Sequence, residues 1–578
     1  LNQQTSEVSK VGENKVLVIT GGLLNEKETS VLRAARKQVL QWRAAQSAWL
    51  DLKIKLVMAE PMLQGQLHKK IAARSVSPLV HDYFARKESM ATPELTEVVL
   101  TTLLRQQGMD HATASVDDVF GRSAAFMRHL DECNCVMLSS TLLRDLSEVL
   151  PLLRLLKRPH NRIILGGALA NLLADDWQGC PEVDLLAVGY GELLLPALVD
   201  YIRSGFTQLR PPSGGRIELR PHANTQAPCP PVSLRVLRSG VPGGRDLDFL
   251  PTPNWAQAER DYGRRFDMIY YESVRGCPYR CNFCNYPYLF DDTRFRYKSA
   301  QKIADDWQHY SEQTGARYIT CLDSLFTMPR SRLSELCNEL VKRRIGLKWI
   351  CYARADDLAK PEIAAMMQEA GAHQVQIGIE SGDQRQLDNM DKQCTVEANH
   401  LALANCRKIG LTSVISLIVG FPGETMQSLE NTYRFLEATP PDFYFLATFS
   451  TRVAGVPILN PANRQRFGLR TDQNPHTVAP YWEHDTMSSM DVGNHVRQFN
   501  QRLMKNKIAL NAPLFYGGML GFEAAQRDAL LAFQQQAASS HRWLERSFDY
   551  ANRWLDKHLE RDLLRTRAQW PTPPKSAK

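Results

Sequence analysis

Short apolar runs, each ending in glycine or hydroxyl residues, punctuate the first third of the chain. Lys15–Thr20 runs into Gly21-Gly22, and Cys135–Ser139 into Ser140-Thr141. Arg162–Leu165 runs into Gly166-Gly167, and Val183–Val188 into Gly189-Tyr190-Gly191-Glu192. Runs this short, closed by turn residues, predict buried strands. Helical periodicity fills about 145–157 and continues from Glu192 to about Ile202, whereas 28–125 is mostly helical but less regular. This alternation predicts an α/β fold. Residues 15–205 would form a doubly wound, Rossmann-like parallel sheet with a helical insertion, behind a polar, disordered tail at 1–14.

Residues 206–265 are rich in Pro, Gly, Arg and Ser, as in Pro211-Pro212-Ser213-Gly214-Gly215, and read as a linker between domains. From about 266 the rhythm resumes. Strands are expected at Met268–Ser273, Ala316–Leu322, Leu347–Ala353, Gln374–Ile379, Thr412–Val419 and Asp442–Ala447. Helices are expected between them at 298–314, 330–344, 360–370, 395–409 and 424–438. Six strands with intervening helices predict a partial TIM-type (β/α)6 barrel over 266–470, with its chemistry at the carboxyl ends of the strands. Residues 471–578 read as a helical C-terminal domain. Trp543, Phe548, Trp554 and Leu559 form a packing stripe on its last helix.

Composition changes this picture little. The chain has 578 residues, 44% hydrophobic and 23% charged, which suits a multi-domain globular protein. No apolar run is long enough to span a bilayer and Leu1–Gly12 lacks a secretory h-region, so a cytoplasmic location is expected. The net charge of +8 is spread over mixed-sign segments, which argues against nucleic-acid binding and leaves room for an anionic ligand. Of twelve cysteines, those such as Cys135, Cys321, Cys351 and Cys406 sit singly in apolar patterns and read as reduced core thiols.

Three cysteines differ. In Gly276-Cys277-Pro278-Tyr279-Arg280-Cys281-Asn282-Phe283-Cys284, directly after the first barrel strand, the spacing is C-x3-C-x2-C. Thiolates ligate iron–sulfur clusters. Three of them can hold three irons of a [4Fe-4S] cubane and leave the fourth iron open. Structural zinc wants four ligands in paired groups, and no second pair with that spacing is present.

This loop, with Phe283 before its last cysteine, resembles that of the radical S-adenosylmethionine (SAM) superfamily. Asp246–Pro253, Asp323–Phe326, Ala353–Asp356, Ile377–Gly382, Met390–Lys392 and Gly420–Thr425 fall where that family has its ordered motifs, so the resemblance spans about 245–456. It implies that the open iron chelates SAM and that reductive cleavage yields a 5′-deoxyadenosyl radical, the electron coming from a donor such as flavodoxin or ferredoxin. Carried over residue by residue, it places Phe283 near adenine. Glu380 and Ser381 would contact the SAM amino acid or ribose, and Arg354 and Lys392 its carboxylate. Gly420 would line the adenine pocket. Asp323 is a site candidate or a barrel-mouth residue without direct role.

Residues 130–202 are similar to the cobalamin-binding domain fused to many of these enzymes. Ser139, Ser140, Thr141, Gly166, Gly167, Gly189, Tyr190, Gly191 and Glu192 would form the edge on which cobalamin lies. The Asp-x-His-x-x-Gly loop of many cobalamin proteins is missing, so the cobalt would lack a histidine from it. Tyr190 stands where a glutamate is usual. Tyr481–Met487 resembles a recurrent segment of the same group, in which Trp482 and His484 either reach the site or anchor the last helices. Tyr516–Met519 reads as a loop beside the substrate. The resemblance implies a cobalamin-dependent radical SAM methyltransferase that uses methylcobalamin on an unactivated carbon or phosphorus of a small-molecule or peptide substrate. The alternatives are a cyclase or rearrangement enzyme with the same cofactors, and a non-radical methyltransferase or cofactor-binding protein.

Overall fold

A computed structural model describes residues 15–22, 49–220, 234–290, 292–452, 455–472, 479–512, 521–567 and 570. The expected tail at 1–14 and the loop Tyr516–Met519 lie outside the described residues. The first sheet has seven strands: β1 (Val16–Thr20), β2 (His111–Ser115), β3 (Cys135–Ser139), β4 (Arg162–Gly166), β5 (Leu185–Val188), β6 (Arg216–Arg220) and β7 (Leu234–Arg238). Their order is β2-β1-β3-β4-β5-β7-β6, parallel except for β6. β1, β3 and β5 are buried at every position, because helices cover both faces. Leu17, Ile19, Val136 and Leu186 pack on one side, and Val16, Val18, Leu185 and Leu237 on the other.

The second sheet also has seven strands. It runs β8 (Met268–Tyr271), β11 (Tyr318–Cys321), β12 (Lys348–Ala353), β13 (Ala372–Glu380), β14 (Thr412–Val419), β15 (Phe443–Thr448), β19 (Leu510–Asn511), all parallel. A two-stranded ribbon, β9 (Val274–Arg275) with β10 (Arg296–Tyr297), flanks the cysteine loop, and β16 (Arg470–Thr471), β17 (Trp482–His484) and β18 (Met487–Ser488) form a small antiparallel sheet. Helices at 300–313, 330–342, 361–369, 396–409 and 426–438 cover the outside of the barrel sheet. Their starts are set locally. Ser299, Thr395 and Thr425 each accept a backbone N–H in the first turn.

Four expectations change. Residues 206–265 are more than a linker, because β6 and β7 close the first sheet and Trp255–Tyr262 is a helix. Pro211–Gly215 turns the chain into β6, where the Gly215 N–H donates to the Pro212 carbonyl (2.8 Å). The helical insertion does not stay on the first sheet: Trp49–Ile71 packs against the helices Ser489–Lys505, Arg527–Ser539 and Arg542–Arg567. Lys53 bonds Asn494 and Asp556, and Arg497 bonds Glu60 and Asp549. The barrel sheet gains its seventh strand from the C-terminal region, which is too short to show a strand pattern. The stripe on the last helix is split: Phe548 and Leu559 are buried, but Trp543 is 57% and Trp554 43% exposed.

Candidate functional site

The cysteine loop leaves the barrel at β9 through Gly276, whose φ of +78° suits glycine and whose added Cβ would lie 2.3 Å from the Arg294 carbonyl. Backbone groups then fix the loop. Ser324 Oγ donates to the Gly276 carbonyl (2.6 Å), Arg280 donates to the Cys277 and Thr293 carbonyls (2.5 and 2.9 Å), and Cys284 N–H donates to the Cys281 carbonyl (3.1 Å). Asn282 is held from both sides. Its N–H and side-chain amide donate to the Met390 and Asn389 carbonyls (2.8 and 2.9 Å), and its own carbonyl accepts from Ile458 N–H (2.9 Å).

All three thiols are free, Cys281 buried and Cys277 and Cys284 half-buried. Burial pushes each thiol up, Cys284 to about 12, while Arg354 and Lys392 pull Cys277 and Cys281 back down. Among the described residues, no three His, Cys, Asp or Glu side chains gather closely enough to share one ion. A cubane takes one thiolate per iron, a demand that three thiols on one short loop can meet.

Around the loop stand the other candidates. Arg354 stacks on the Tyr279 ring at 3.8 Å, donates to Asp356 (2.8 Å) and to the Lys392 and Gln393 carbonyls (both 2.8 Å), and thereby ties the cysteine loop to β12 and to the turn after Asn389. Lys392 Nζ lies 3.0 Å from Glu380 Oε1 and 5.7 Å from the Phe283 ring. Glu380 also accepts from Ser416 (3.3 Å) and takes a φ of +64° at an irregularity in the β13–β14 register. A non-glycine residue held there costs about 1–3 kcal/mol and marks a place where the surrounding structure imposes its geometry. A Cβ at Gly378 would meet Glu380 Oε1 at 2.3 Å and Lys392 Nζ at 2.8 Å, so the glycine makes room for this pair.

The structure separates Asp323 and Ser381 from these. Asp323 accepts from the Ser273 N–H and hydroxyl (both 2.6 Å) and from Val274 N–H (2.9 Å), which pins the end of β8 to that of β11. Ser381 is turned toward Thr432 (3.2 Å) on the covering helix. Gly420, at φ +85°, is clamped: its N–H donates to Glu424, and His484 Nε2 lies 3.2 Å from its carbonyl oxygen. Burial pushes the Glu424 carboxyl up to about 8. Trp482 stacks parallel to His484 at 5.4 Å and edge-on to Phe449 at 5.0 Å, and so braces Gly420.

The carboxyl edge of the first sheet faces this mouth. Arg275, directly before the cysteine loop, donates two bonds to Glu192 (2.6 and 3.0 Å) and two to Glu272 (2.8 and 3.2 Å), over the rings of Tyr190 and Phe290. Asn171 accepts from Gly189 N–H (2.8 Å) and donates to the Leu289 carbonyl (2.5 Å). Arg452, after β15, pairs with Asp145 after β3. Tyr190 and Glu192 are therefore spent on the contact between the sheets. Ser140 is likewise internal, bonding the Gly166 carbonyl (2.7 Å) and Ala170 N–H (3.0 Å), and Ser139 bonds Thr141 (3.1 Å). Gly167 and Gly189, at φ +99° and +102°, are required by the close approach of Thr141 and Ser239. Thr141 and Gly191 are exposed and Gly166 and Gly167 half-buried along this edge. Sequence reasoning missed Arg275, Asn171, Arg452 and Tyr279 as organisers, because their partners lie far away in the chain.

A cysteine loop on the carboxyl end of a parallel α/β barrel defines the class, and residues 271–436 match the model of the Radical SAM superfamily. This barrel is a radical SAM domain. The chain is 26% identical over 342 residues to the anaerobic magnesium-protoporphyrin IX monomethyl ester cyclase of Rubrivivax gelatinosus, covering 58% of each chain. It is 25% identical over 286 residues to an uncharacterized methyltransferase of Pyrococcus horikoshii, covering 49% of this chain and 59% of that one. It thus spans little more than half the length of these relatives. Among solved structures, the radical SAM methyltransferase TsrM of Kitasatospora setae, with tryptophan substrate and a SAM analog bound, shares the fold at a TM-score of 0.51. That likeness has 17% identity and covers 66% of this chain and 76% of TsrM. No helix among the described residues is long and apolar enough to cross a membrane.

Proposed function

We propose that the protein is a cobalamin-dependent radical SAM methyltransferase acting on a small-molecule or peptide substrate, with a flavodoxin- or ferredoxin-like electron donor. The observation that carries this reading is that two carboxyl edges face each other. The three-thiol loop sits on one and the accessible Thr141–Gly166–Gly167–Gly191 edge on the other, joined through Arg275–Glu192 and Asn171–Leu289. When bound, the cluster with SAM supplies a hydrogen-abstracting radical and cobalamin a methyl group for transfer.

The chain's own residues do the holding. Cys277, Cys281 and Cys284 ligate the cluster, and the Phe283 backbone meets adenine beside the braced turn at Gly420. The neutralised Glu380–Lys392 pair shapes the SAM pocket, and Arg354 locks the cysteine loop rather than reaching solvent.

A second reading, a cyclase with the same cofactors, is favoured by the likeness to the Rubrivivax cyclase. Anaerobic reconstitution with iron, sulfide, cobalamin and SAM, followed by reduction and mass spectrometry, tests both. 5′-Deoxyadenosine together with S-adenosylhomocysteine supports methyl transfer, whereas 5′-deoxyadenosine alone supports cyclisation. Absence of both, or tightly bound zinc without iron, refutes the reading.

A further inference from the structure

The last helix, Arg542–Arg567, mixes both charge signs along its sequence, and its packing sorts them. Its buried side, with Phe548, Leu555 and Leu559, lies against the helices Trp49–Ile71 and Ser489–Lys505. Four of its five acids are tied down around that contact. Glu545 is held by Lys505 (3.2 Å), Asp549 by Arg497, Asp556 by Lys53 (2.9 Å) and Asp562 by Tyr481 (2.9 Å). The bases take the other side. Arg546, Arg553, Lys557 and Arg561 are exposed, and none has a hydrogen-bond or ion-pair partner among the described residues. Glu560 alone opposes them there.

Large apolar side chains share this outward face. Tyr550 is 68% and Leu564 72% exposed, and the exposed Trp543 and Trp554 lie between and beside the bases. Trp543-Arg546-Tyr550-Arg553 and Trp554-Lys557-Arg561-Leu564 each advance by three or four residues. That spacing sets all eight on one stripe, about 100° wide and about 30 Å long. The stripe begins at a second patch of the same character. His541 Nε2 lies 3.3 Å from Nδ1 of His68, and the turn that follows His68 exposes Ile71 (60%) together with Lys70 and Arg74.

We infer that this face docks the protein on an anionic lipid surface. The free cations match lipid phosphates, Trp and Tyr suit the headgroup boundary, and Leu564 and Ile71 reach toward the acyl chains. Such a contact lies on the bilayer and needs no spanning helix. Two other occupants fit less well. A protein partner would want charge kept away from the centre of its contact, whereas here a base separates nearly every pair of apolar side chains. A nucleic-acid strand wants a groove lined by rings, whereas this ridge is convex and partly aliphatic. The inference does not depend on the proposed reaction.

The test is flotation of the full chain, handled anaerobically, with two kinds of vesicle: phosphatidylcholine alone, and equal parts of phosphatidylcholine and phosphatidylglycerol. The wild type is expected to float with the anionic vesicles only and to be released when salt rises from about 0.1 M to about 0.5 M. Changing Arg546, Arg553, Lys557 and Arg561 together to Gln should weaken partitioning at least about a hundredfold, since each such cation is worth about fivefold near the surface. Trp543→Ala with Tyr550→Ala should weaken it about tenfold. Both variants should melt like the wild type, because the side chains removed hold nothing within the fold. Quenching of tryptophan emission by brominated acyl chains, in anionic vesicles only, is a readout that needs no variant. Flotation with neither vesicle or equally with both, absence of quenching, or unchanged partitioning in the fourfold variant overturns the inference. So does retention by single-stranded RNA without vesicle binding, which would give the face to nucleic acid. Vesicle binding without SAM cleavage leaves this inference standing and the proposed function lost; cleavage without vesicle binding does the reverse.

Discussion

Replacing Arg275 by Gln should loosen the junction between the two sheets by about 3 kcal/mol. The guanidinium is 8% exposed and holds Glu192, 11% exposed, and Glu272, 24% exposed. Removing one partner of a buried ion pair costs about 3–5 kcal/mol, because the other charge stays buried and uncompensated. Solvent screens the Glu272 half, which argues for the lower end of that range. The glutamine also loses the cation–π contacts to Tyr190 (5.0 Å) and Phe290 (5.4 Å).

A chain of several domains does not unfold in one step, so the assay is amide hydrogen exchange at 185–203 and 274–297. About 3 kcal/mol corresponds to a roughly hundredfold faster opening. The pH dependence gives a second reading. Burial pushes the Glu192 carboxyl up, but Arg275 outweighs it and holds it below its ordinary value. In the wild type the stabilisation is therefore present above the ordinary carboxylate range and lost as pH falls through the depressed value. In Arg275→Gln burial is opposed only by the backbone N–H of Glu192 and the charge of Lys298, so Glu192 takes up a proton more readily and the deficit should shrink as pH falls. Adding Glu192→Gln should restore part of the protection. A deficit below about 1 kcal/mol, or a double variant that loses the sum of the two single losses, refutes the reasoning.

Gly276→Ala should fold but take up little iron on reconstitution, because its Cβ strikes the Arg294 carbonyl; iron content per chain measures it, and full loading would refute it. Gly378→Ala should weaken SAM binding about tenfold or more by displacing the Glu380–Lys392 pair, checked by equilibrium dialysis; wild-type affinity would refute it. Glu424→Gln should flatten the pH profile of thermal stability. Burial raises the Glu424 carboxyl to about 8, so its stabilising contribution is complete below the ordinary carboxylate range and lost as pH rises through about 8. A wild-type profile in that variant would refute it. Cys351→Ala, a core thiol on β12, should keep full iron loading, whereas Cys281→Ala should lose it; equal losses in both would refute the ligand assignment.

Much of the framework was legible because strand and helix signals are local. Thr412–Val419 forms over the expected residues, and the five barrel helices begin within about two residues of their expected starts. The cysteine loop was legible for the same reason, since its ligands lie within one turn of chain. β6, β7 and β19 were not, because an edge hairpin among prolines and a two-residue strand carry too few positions for a period to show.

The sequence alone determined the rhythm of two parallel sheets and the spacing of three thiols, since both depend on neighbours a few residues apart. Only the closing of the sheets upon each other decided what the remaining candidates do. Glu192 met Arg275 across 83 residues and became an ion-pair partner, Arg452 met Asp145 across 307, and Ser381 turned away to Thr432. A side chain's partners depend on distances in space, and no local pattern of polar and apolar residues encodes those.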